Sequence, residues 1–276
     1  MTGTYLAAAV QMNSHENVAA NVAAVTRHVE EAARRGASLV ALPELFNCLG
    51  SQQAMLACAE SIPGPTSDAM SRLARRLGIV LLAGSIAERG DSADNVDGGR
   101  AYNTSVLFGP DGVELARYRK LHLFDIDLAG LSYHESAWLL PGETTVAVET
   151  PLGKLGLSIC YDLRFPELYR RLIDAGAQLL LVPSAFTLPT GRDHWQVLLR
   201  ARAIENQSYI IAPNQHGEHG SALTTYGRST IIDPWGTPLA CAADGEGIIL
   251  AEIDLEYLAA IRQRLPALTH RRRPDG

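Results

Sequence analysis

Apolar residues along this chain fall into two rhythms, short continuous runs and runs that recur every three or four positions. Residues 5–12 form a mostly apolar run that predicts a first strand. Val18, Val22, Val25, Val29 and Ala33 then recur at helical spacing, with Ser14 as the expected cap and Gly36 as the stop. Residues 39–43 read as a second strand, 67–77 as a helix closed by Gly78, and 79–86 as a third strand. The Gly- and Asp-rich stretch 88–100 reads as a loop. Residues 102–108 and 113–118 flank Pro110-Asp111-Gly112, a turn signature that predicts a hairpin.

The second half repeats the theme. Strands are expected over 145–149 and 155–160 around Pro151-Leu152-Gly153, then a helix over 166–174 and a strand over 179–183. A long helix over 191–206 precedes strands at 208–213, 229–232 and 247–253, with Pro234-Trp235-Gly236 as a turn and a last helix over 255–265. Alternating strands and helices joined by some hairpins imply an α/β protein with mixed sheets covered by helices. No low-complexity linker divides the chain, so a single domain is expected over 1–276, with a C-terminal tail from about 266.

Composition narrows the class. At 276 residues, 47% hydrophobic and 20% charged, the chain can bury the core of a soluble globular enzyme. Its formal net charge of −6 argues against general nucleic-acid binding, and it requires a local basic pocket for any acidic substrate. The run His270-Arg271-Arg272-Arg273 is too short for a nucleic-acid patch and reads as a solvated or interface tail. Cysteines at 48, 58, 160 and 241 have no C-x-x-C spacing, and the N-terminal residues read as a strand without a signal peptide's basic region. The apolar runs are too short to span a bilayer, so a reducing cytoplasm is the expected compartment.

Three polar residues stand where open α/β sheets place their chemistry, at the carboxyl ends of strands. Glu44 ends the run from Leu39, Lys120 follows the strand from Val113, and Cys160 ends the strand from Lys154 and faces a helix start. A carboxylate, an ammonium and a thiol make a set for covalent catalysis. A thiol is ordinarily a few per cent ionised at neutral pH, and a nearby lysine ammonium is expected to raise that fraction. His216-Gly217-Glu218-His219 has an H-x-x-H look but no third ligand nearby, so no metal site is expected. No P-loop, dinucleotide fingerprint or G-x-S-x-G elbow is present, so no organic cofactor is implied. Arg202 and Glu205 are spaced for a structural ion pair.

Leu42-Pro43-Glu44, Tyr118-Arg119-Lys120-Leu121-His122-Leu123-Phe124 and Cys160-Tyr161-Asp162-Leu163-Arg164-Phe165-Pro166-Glu167 resemble, in order, the signature blocks of the nitrilase or carbon–nitrogen hydrolase superfamily. The resemblance covers nearly the whole chain. It implies a four-layer α-β-β-α sandwich of two mixed sheets, and a dimer or higher homo-oligomer formed across helices near the cysteine. It assigns Cys160 as nucleophile, Glu44 as general base and acid, and Lys120 with a backbone N–H as holder of the oxyanion. Glu135, in Glu135-Ser136 upstream of Pro141-Gly142, matches the family's second glutamate, which orients the lysine and the substrate.

The segments Pro183-Ser184-Ala185-Phe186-Thr187, His194-Trp195, Ala201-Arg202-Ala203-Ile204 and Asp233-Pro234-Trp235-Gly236 are most similar to the Nit branch. That branch hydrolyses deaminated glutathione or the ω-amides of keto acids, to an acid plus ammonia or amine through a thioester. Asn214 to Ser221 and the ending Arg273-Pro274-Asp275-Gly276 depart from the pattern, which leaves the substrate less determined than the reaction. A nitrilase and a general aliphatic amidase share the same catalytic residues. A non-catalytic scaffold of the same fold has no need of all three. Tyr161, Arg164, Phe186, Thr187 and His194 are the candidate substrate-binding residues. Arg164 is the candidate partner for a substrate carboxylate, since guanidinium can bind one with two parallel hydrogen bonds, and a structural or interface arginine is the alternative reading.

Overall fold

A computed structural model of the chain describes residues 3–90, 99–128, 131–220 and 223–272. In chain order its first half contains β1 (Thr4–Gln11), α1 (Val18–Arg34), β2 (Ala37–Ala41), α2 (Gln52–Ala57), α3 (Pro65–Leu77), β3 (Val80–Leu82), β4 (Ile86–Arg89), β5 (Ala101–Phe108) and β6 (Glu114–Arg119). A middle section follows with β7 (Asp125–Leu128), β8 (Leu131–His134), β9 (Leu139–Leu140), β10 (Val146–Thr150), β11 (Gly153–Leu157), α4 (Pro166–Asp174) and β12 (Leu179–Leu181). The remainder is α5 (Leu188–Thr190), α6 (Gln196–Asn206), β13 (Tyr209–Ala212), β14 (His216–His219), β15 (Leu223–Tyr226), β16 (Thr230–Ile232), β17 (Pro238–Cys241), β18 (Gly247–Asp254) and α7 (Leu255–Arg264).

The period of two along each strand decides the layers. Ala7 and Ala9 of β1, Leu39 and Ala41 of β2, and Val80 and Leu82 of β3 all face a second sheet, where they meet Leu155, Leu157, Leu179 and Leu181. Their neighbours Ala8, Val10, Val40 and Leu81 face the other way, onto Val25, Val29 and Ala32 of α1 and Met70, Leu73 and Ala74 of α3. Strands that bury both faces read as continuous apolar runs, which is why the sequence pattern located them. The first sheet has the order β18-β1-β2-β3-β5-β4, with β6 and β9 also paired to β5. The second has the order β10-β11-β12-β13-β16-β17.

On the outer face of the second sheet, α4 approaches so closely that a Cβ at Gly156 would lie 3.2 Å from Leu172 Cβ and 2.9 Å from Leu180 Cδ2. Helices α4 and α6 thus complete the four-layer α-β-β-α sandwich expected from the resemblance. Each large aliphatic side chain buried between these layers contributes about 1.5–3 kcal/mol.

Several local expectations change. The cap of α1 is Asn17, whose side chain accepts from Ala20 N. Ser14 is buried instead and donates to the Phe46 carbonyl at 2.8 Å. The run 79–86 breaks into β3 and β4 at Gly84, which sits at φ +37 with the Pro43 carbonyl where a Cβ would be. The long helix expected over 191–206 starts as a wide π turn, Gly191–Trp195, before α6. Hairpins β7–β8 and β14–β15, strand β17 and the short helix α2 had no strong periodicity to announce them. The parts of the expected loop 88–100 at 91–98 and of the ending at 273–276 lie outside the described residues, as do residues 221–222.

Gly84 also holds the Glu44 turn in place. Next to it, Ser85 Oγ accepts from Leu45 N at 3.0 Å, and Phe46 N donates to the Ser85 carbonyl at 3.2 Å. Gly84→Ala adds both a left-handed φ and an overlap with backbone. It is expected to cost about 2 kcal/mol and to lower the melting temperature by roughly 4–8 °C. An alanine variant that melts with the wild type would show that this bend is not fixed by glycine.

Candidate active site

Glu44 leaves the end of β2 through Leu42-Pro43 and is almost fully buried. One carboxylate oxygen, Oε1, accepts from Lys120 Nζ at 2.9 Å and from Asn103 Nδ2 at 2.8 Å. The other, Oε2, accepts from Ala185 N at 2.8 Å. Lys120 follows β6, and its side chain has no solvent exposure at all. Its backbone is tied at both ends, with Lys120 N donating to the Asn103 carbonyl at 2.9 Å and Gly142 N donating to the Lys120 carbonyl at 2.8 Å. Nζ donates to Glu44 and also to Glu135 Oε1 at 2.9 Å. Glu135 opens a 3-10 turn after β8, and its Oε2 accepts from Phe124 N at 2.7 Å.

Cys160 starts a 3-10 turn, Cys160–Arg164, that joins β11 to α4. It adopts φ +45, a left-handed conformation unusual for a residue with a side chain. That geometry turns the thiol away from the sheet, while Cys160 N donates to the Pro183 carbonyl at 2.9 Å. Asp162, fully buried two residues on, keeps the turn in register. Its Oδ2 accepts from Ile159 N at 2.9 Å and from the Tyr118 hydroxyl at 2.6 Å, and its Oδ1 accepts from His122 N at 3.1 Å. One carboxylate thereby staples the cysteine turn to both sides of Lys120.

Electrostatics follow from burying two carboxylates with one ammonium. Burial alone would pull the Lys120 ammonium down, but Glu135 and Glu44 outweigh it and hold Lys120 charged. Burial pushes the Glu135 carboxyl up, helped by Glu44 and opposed by Lys120. Burial, and then the Glu44 charge, push the Cys160 thiol well above its usual range, against the pull of Lys120 and of Ala185 N–H. Lys120 thus favours the thiolate, as expected, but burial and Glu44 outweigh it at rest. The ammonium is already neutralised by carboxylates, so the thiol keeps its proton until a base removes it.

A cleft of about 440 Å³ opens above this group. Glu44, Glu135 and Cys160 line its floor, and Tyr161, Arg164, Phe186 and Thr187 line its sides. The Arg164 guanidinium carbon lies 5.7 Å from the Tyr161 ring centroid and 5.3 Å from that of Phe186. His194 does not line the cleft. Its Nδ1 lies 3.3 Å from Arg164 Nη1, behind the guanidinium. The expected site residues thus gather at one cleft, with Lys120 buried beneath its floor and His194 behind Arg164. Asn103, Asp162, Tyr133 and Thr190 were missed; the polar run Asn103-Thr104-Ser105 inside an expected strand, and Asp162 two residues after the cysteine, were the signals present in the sequence. His216 and His219 fall on the β14–β15 hairpin, where both ring nitrogens of His219 are already taken, by the Ser14 carbonyl at 2.7 Å and Thr225 Oγ1 at 2.8 Å. Arg202 pairs with Glu205 at 2.8 Å, as its spacing predicts.

This fold around such a cleft defines a hydrolase of carbon–nitrogen bonds. The model of the carbon–nitrogen hydrolase family matches residues 6–263, and the chain belongs to that family. Among its relatives, the deaminated glutathione amidase of Synechocystis sp. is 46% identical over 272 residues, 97% of this chain and 98% of that protein. Omega-amidase NIT2 of Xenopus tropicalis is 44% identical over 245 residues, 88% of this chain and 86% of that protein. The crystal structure of Nit3 from Saccharomyces cerevisiae, a member of branch 10 of the nitrilase superfamily, superposes with a TM-score of 0.85 at 36% identity, covering 95% of this chain and 94% of that one. The chain is a Nit-branch amidase.

His219 supports the cleft wall through Thr225, which bridges to Thr187. Burial lowers its pKa from 6.5 to about 4, so it is neutral in the fold. The unfolded chain takes up the proton first, so this contribution to stability is complete above pH 6.5 and is lost as pH falls to about 4. The loss amounts to about 3 kcal/mol across that window. His219→Gln is expected to flatten the fall in melting temperature between those pH values; a variant whose melting curve keeps the wild-type pH slope would contradict it.

Proposed function

We propose that Cys160, Glu44, Lys120 and Glu135 hydrolyse the amide of a small carboxylate-bearing substrate, either deaminated glutathione or the ω-amide of a keto acid. The observation that carries this reading is Arg164. It lines the same cleft as Cys160 and has no carboxylate partner among the described residues. An unpaired guanidinium beside aromatic faces is suited to an anionic group on the substrate. The names of the relatives favour the same two substrates.

In this mechanism Glu44 takes the thiol proton as Sγ attacks the amide carbon. Cys160 N already donates to Pro183. The oxyanion is therefore received by Lys120 Nζ and by Tyr161 N–H in the first turn of the 3-10 segment. Glu44 returns the proton to the departing nitrogen, the C–N bond breaks, and a thioester remains. A water then loses its proton to Glu44 and attacks the thioester. The C–S bond breaks and the proton goes back to sulfur, giving acid plus ammonia or amine. Glu135 holds Lys120 charged and aimed throughout. The chain works as one catalytic domain with a tail from about 266.

The surface beside this site suits a second copy of the chain. On α6, Val197 is 67% exposed and Ile204 49%, and Trp235, 57% exposed, stands on the turn that packs against Ile204 at Gly236. Large exposed apolar side chains gathered this way mark an interface, and we assign to it a homodimer. No helix among the described residues is long and apolar enough to cross a membrane. A cytoplasmic setting fits a thiol that must stay reduced.

Product release is the measurement that tests the reading, with deaminated glutathione, α-ketoglutaramate, simple amides and nitriles as substrates. Carboxylate-bearing amides are expected to be turned over fastest, and a clear preference for a nitrile or an uncharged amide would replace this reading with nitrilase or aliphatic amidase. Cys160→Ala is expected to abolish turnover in a folded protein; near-normal turnover would remove it as nucleophile. Arg164→Met is expected to raise KM at least about tenfold for carboxylate-bearing amides while sparing a neutral amide of similar size. An equal loss on both would make Arg164 part of the scaffold.

A further inference from the structure

We infer that Asn103 is a positioning residue for the base, fixing the Glu44 carboxylate so that Oε2 faces the thiol. Asn103 sits in the middle of β5 and is fully buried. Its two polar ends serve two different members of the site. The backbone carbonyl accepts from Lys120 N at 2.9 Å, and the side-chain Nδ2 donates to Glu44 Oε1 at 2.8 Å, the same oxygen that Lys120 Nζ reaches. Ala185 N–H donates to the opposite oxygen, Oε2, at 2.8 Å. Oε1 therefore already has two donors and Oε2 one, so Oε2 is the oxygen left to receive the thiol proton in the cleft that both groups line.

The orientation of the amide supports the same conclusion. An ionised carboxylate only accepts, so Nδ2 must point at Glu44. That leaves Asn103 Oδ1 buried with no partner among the described residues. A buried unsatisfied carbonyl is unfavourable for stability. A residue chosen for packing alone at a fully buried strand position would be apolar, as Val106, Leu107 and Phe108 are further along β5. The amide is thus held in an orientation that serves the carboxylate at a local cost to the fold.

The groups that face Glu44 are Lys120 after β6, Glu135 and Tyr133 from the β8 region, and Cys160 after β11. Glu135 disfavours a second negative charge there, while Lys120, Asn103 and Ala185 N–H favour it, and the neutral Cys160 thiol does neither. Removing the Asn103 donor therefore shifts the balance toward the protonated, inactive carboxyl. Asn103→Asp shifts it further, because a like charge replaces the donor.

The inference rests on the proposed role of Glu44, and the experiment separates the two. Steady-state kinetics are measured against pH for the full chain carrying Asn103→Ala, Asn103→Asp or Glu44→Gln, with α-ketoglutaramate or the amide that the wild type prefers. Asn103→Ala is expected to lower kcat about tenfold or more with KM within about twofold, and to move the acid limb of kcat/KM to higher pH. Asn103→Asp is expected to move it further still. An acid limb that stays in place in both variants, or a loss confined to melting temperature, overturns the inference and makes Asn103 a structural residue. If Asn103→Ala does not fold, the near-isosteric Asn103→Asp decides alone by the same criterion. Glu44→Gln with wild-type turnover would instead overturn the base assignment itself.

Discussion

A lysine ammonium with no access to solvent sets the terms for the whole molecule. An isolated buried ammonium would lose its proton or unfold the site, since the desolvation penalty is several kcal/mol after relaxation. Lys120 avoids this only because Glu44 and Glu135 reach it from different parts of the chain. Removing either carboxylate from such a buried pair typically costs about 3–5 kcal/mol, because the remaining charge is uncompensated. The loop after β2, the end of β6 and the turn after β8 are thus locked to one another by charge. The sandwich gives these ends a common edge, and the charges give that edge a fixed arrangement.

The same constraint sets the resting state of the thiol. Two carboxylates and one ammonium leave the buried group with an excess of negative charge, so a thiolate beside it would add to the imbalance. Cys160 is accordingly pushed toward the neutral form, by burial first and Glu44 next. A neutral thiol is a poor nucleophile but resists oxidation and alkylation, which proceed through the thiolate. Deprotonation is coupled to attack when Glu44 takes the proton in the same step. The proton then lies on the carboxyl, and the new negative charge has moved to the substrate oxygen near Lys120.

Strand-end chemistry made much of this legible in the sequence. Glu44, Lys120 and Cys160 each stand just past the end of a strand-like run, and the β1, β2 and β3 runs read as a doubly covered sheet. What stayed hidden depends on contacts between residues distant in sequence. Asn103 lies in the interior of β5, where alternation says only which face it occupies, and nothing local says that Glu44, 59 residues away, is opposite. Asp162 follows the cysteine closely, yet its role comes from Tyr118 and His122, 44 and 40 residues away. Hairpins β7–β8 and β14–β15 escaped because strands of four residues are too short for their alternation to stand out. Ser14 has the residue type of a helix cap, but the Phe46 carbonyl claims its hydroxyl.

Two of the four left-handed non-glycine residues among the described residues lie at the site. Leu45 at φ +50 follows the base and Cys160 at φ +45 is the thiol itself, both left-handed without being glycine. Such conformations cost about 1–3 kcal/mol each and persist only where neighbours over-determine them. Around Leu45 the neighbours are Ser85 and the bend at Gly84; around Cys160 they are the Pro183 carbonyl and the Asp162 staple. In both cases the left-handed residue bends the chain a few residues past the end of its strand, where Glu44 and Cys160 line the cleft. The stabilisation supplied by the packed layers is therefore what allows the strain, and the strain is what brings base and nucleophile to the same cleft.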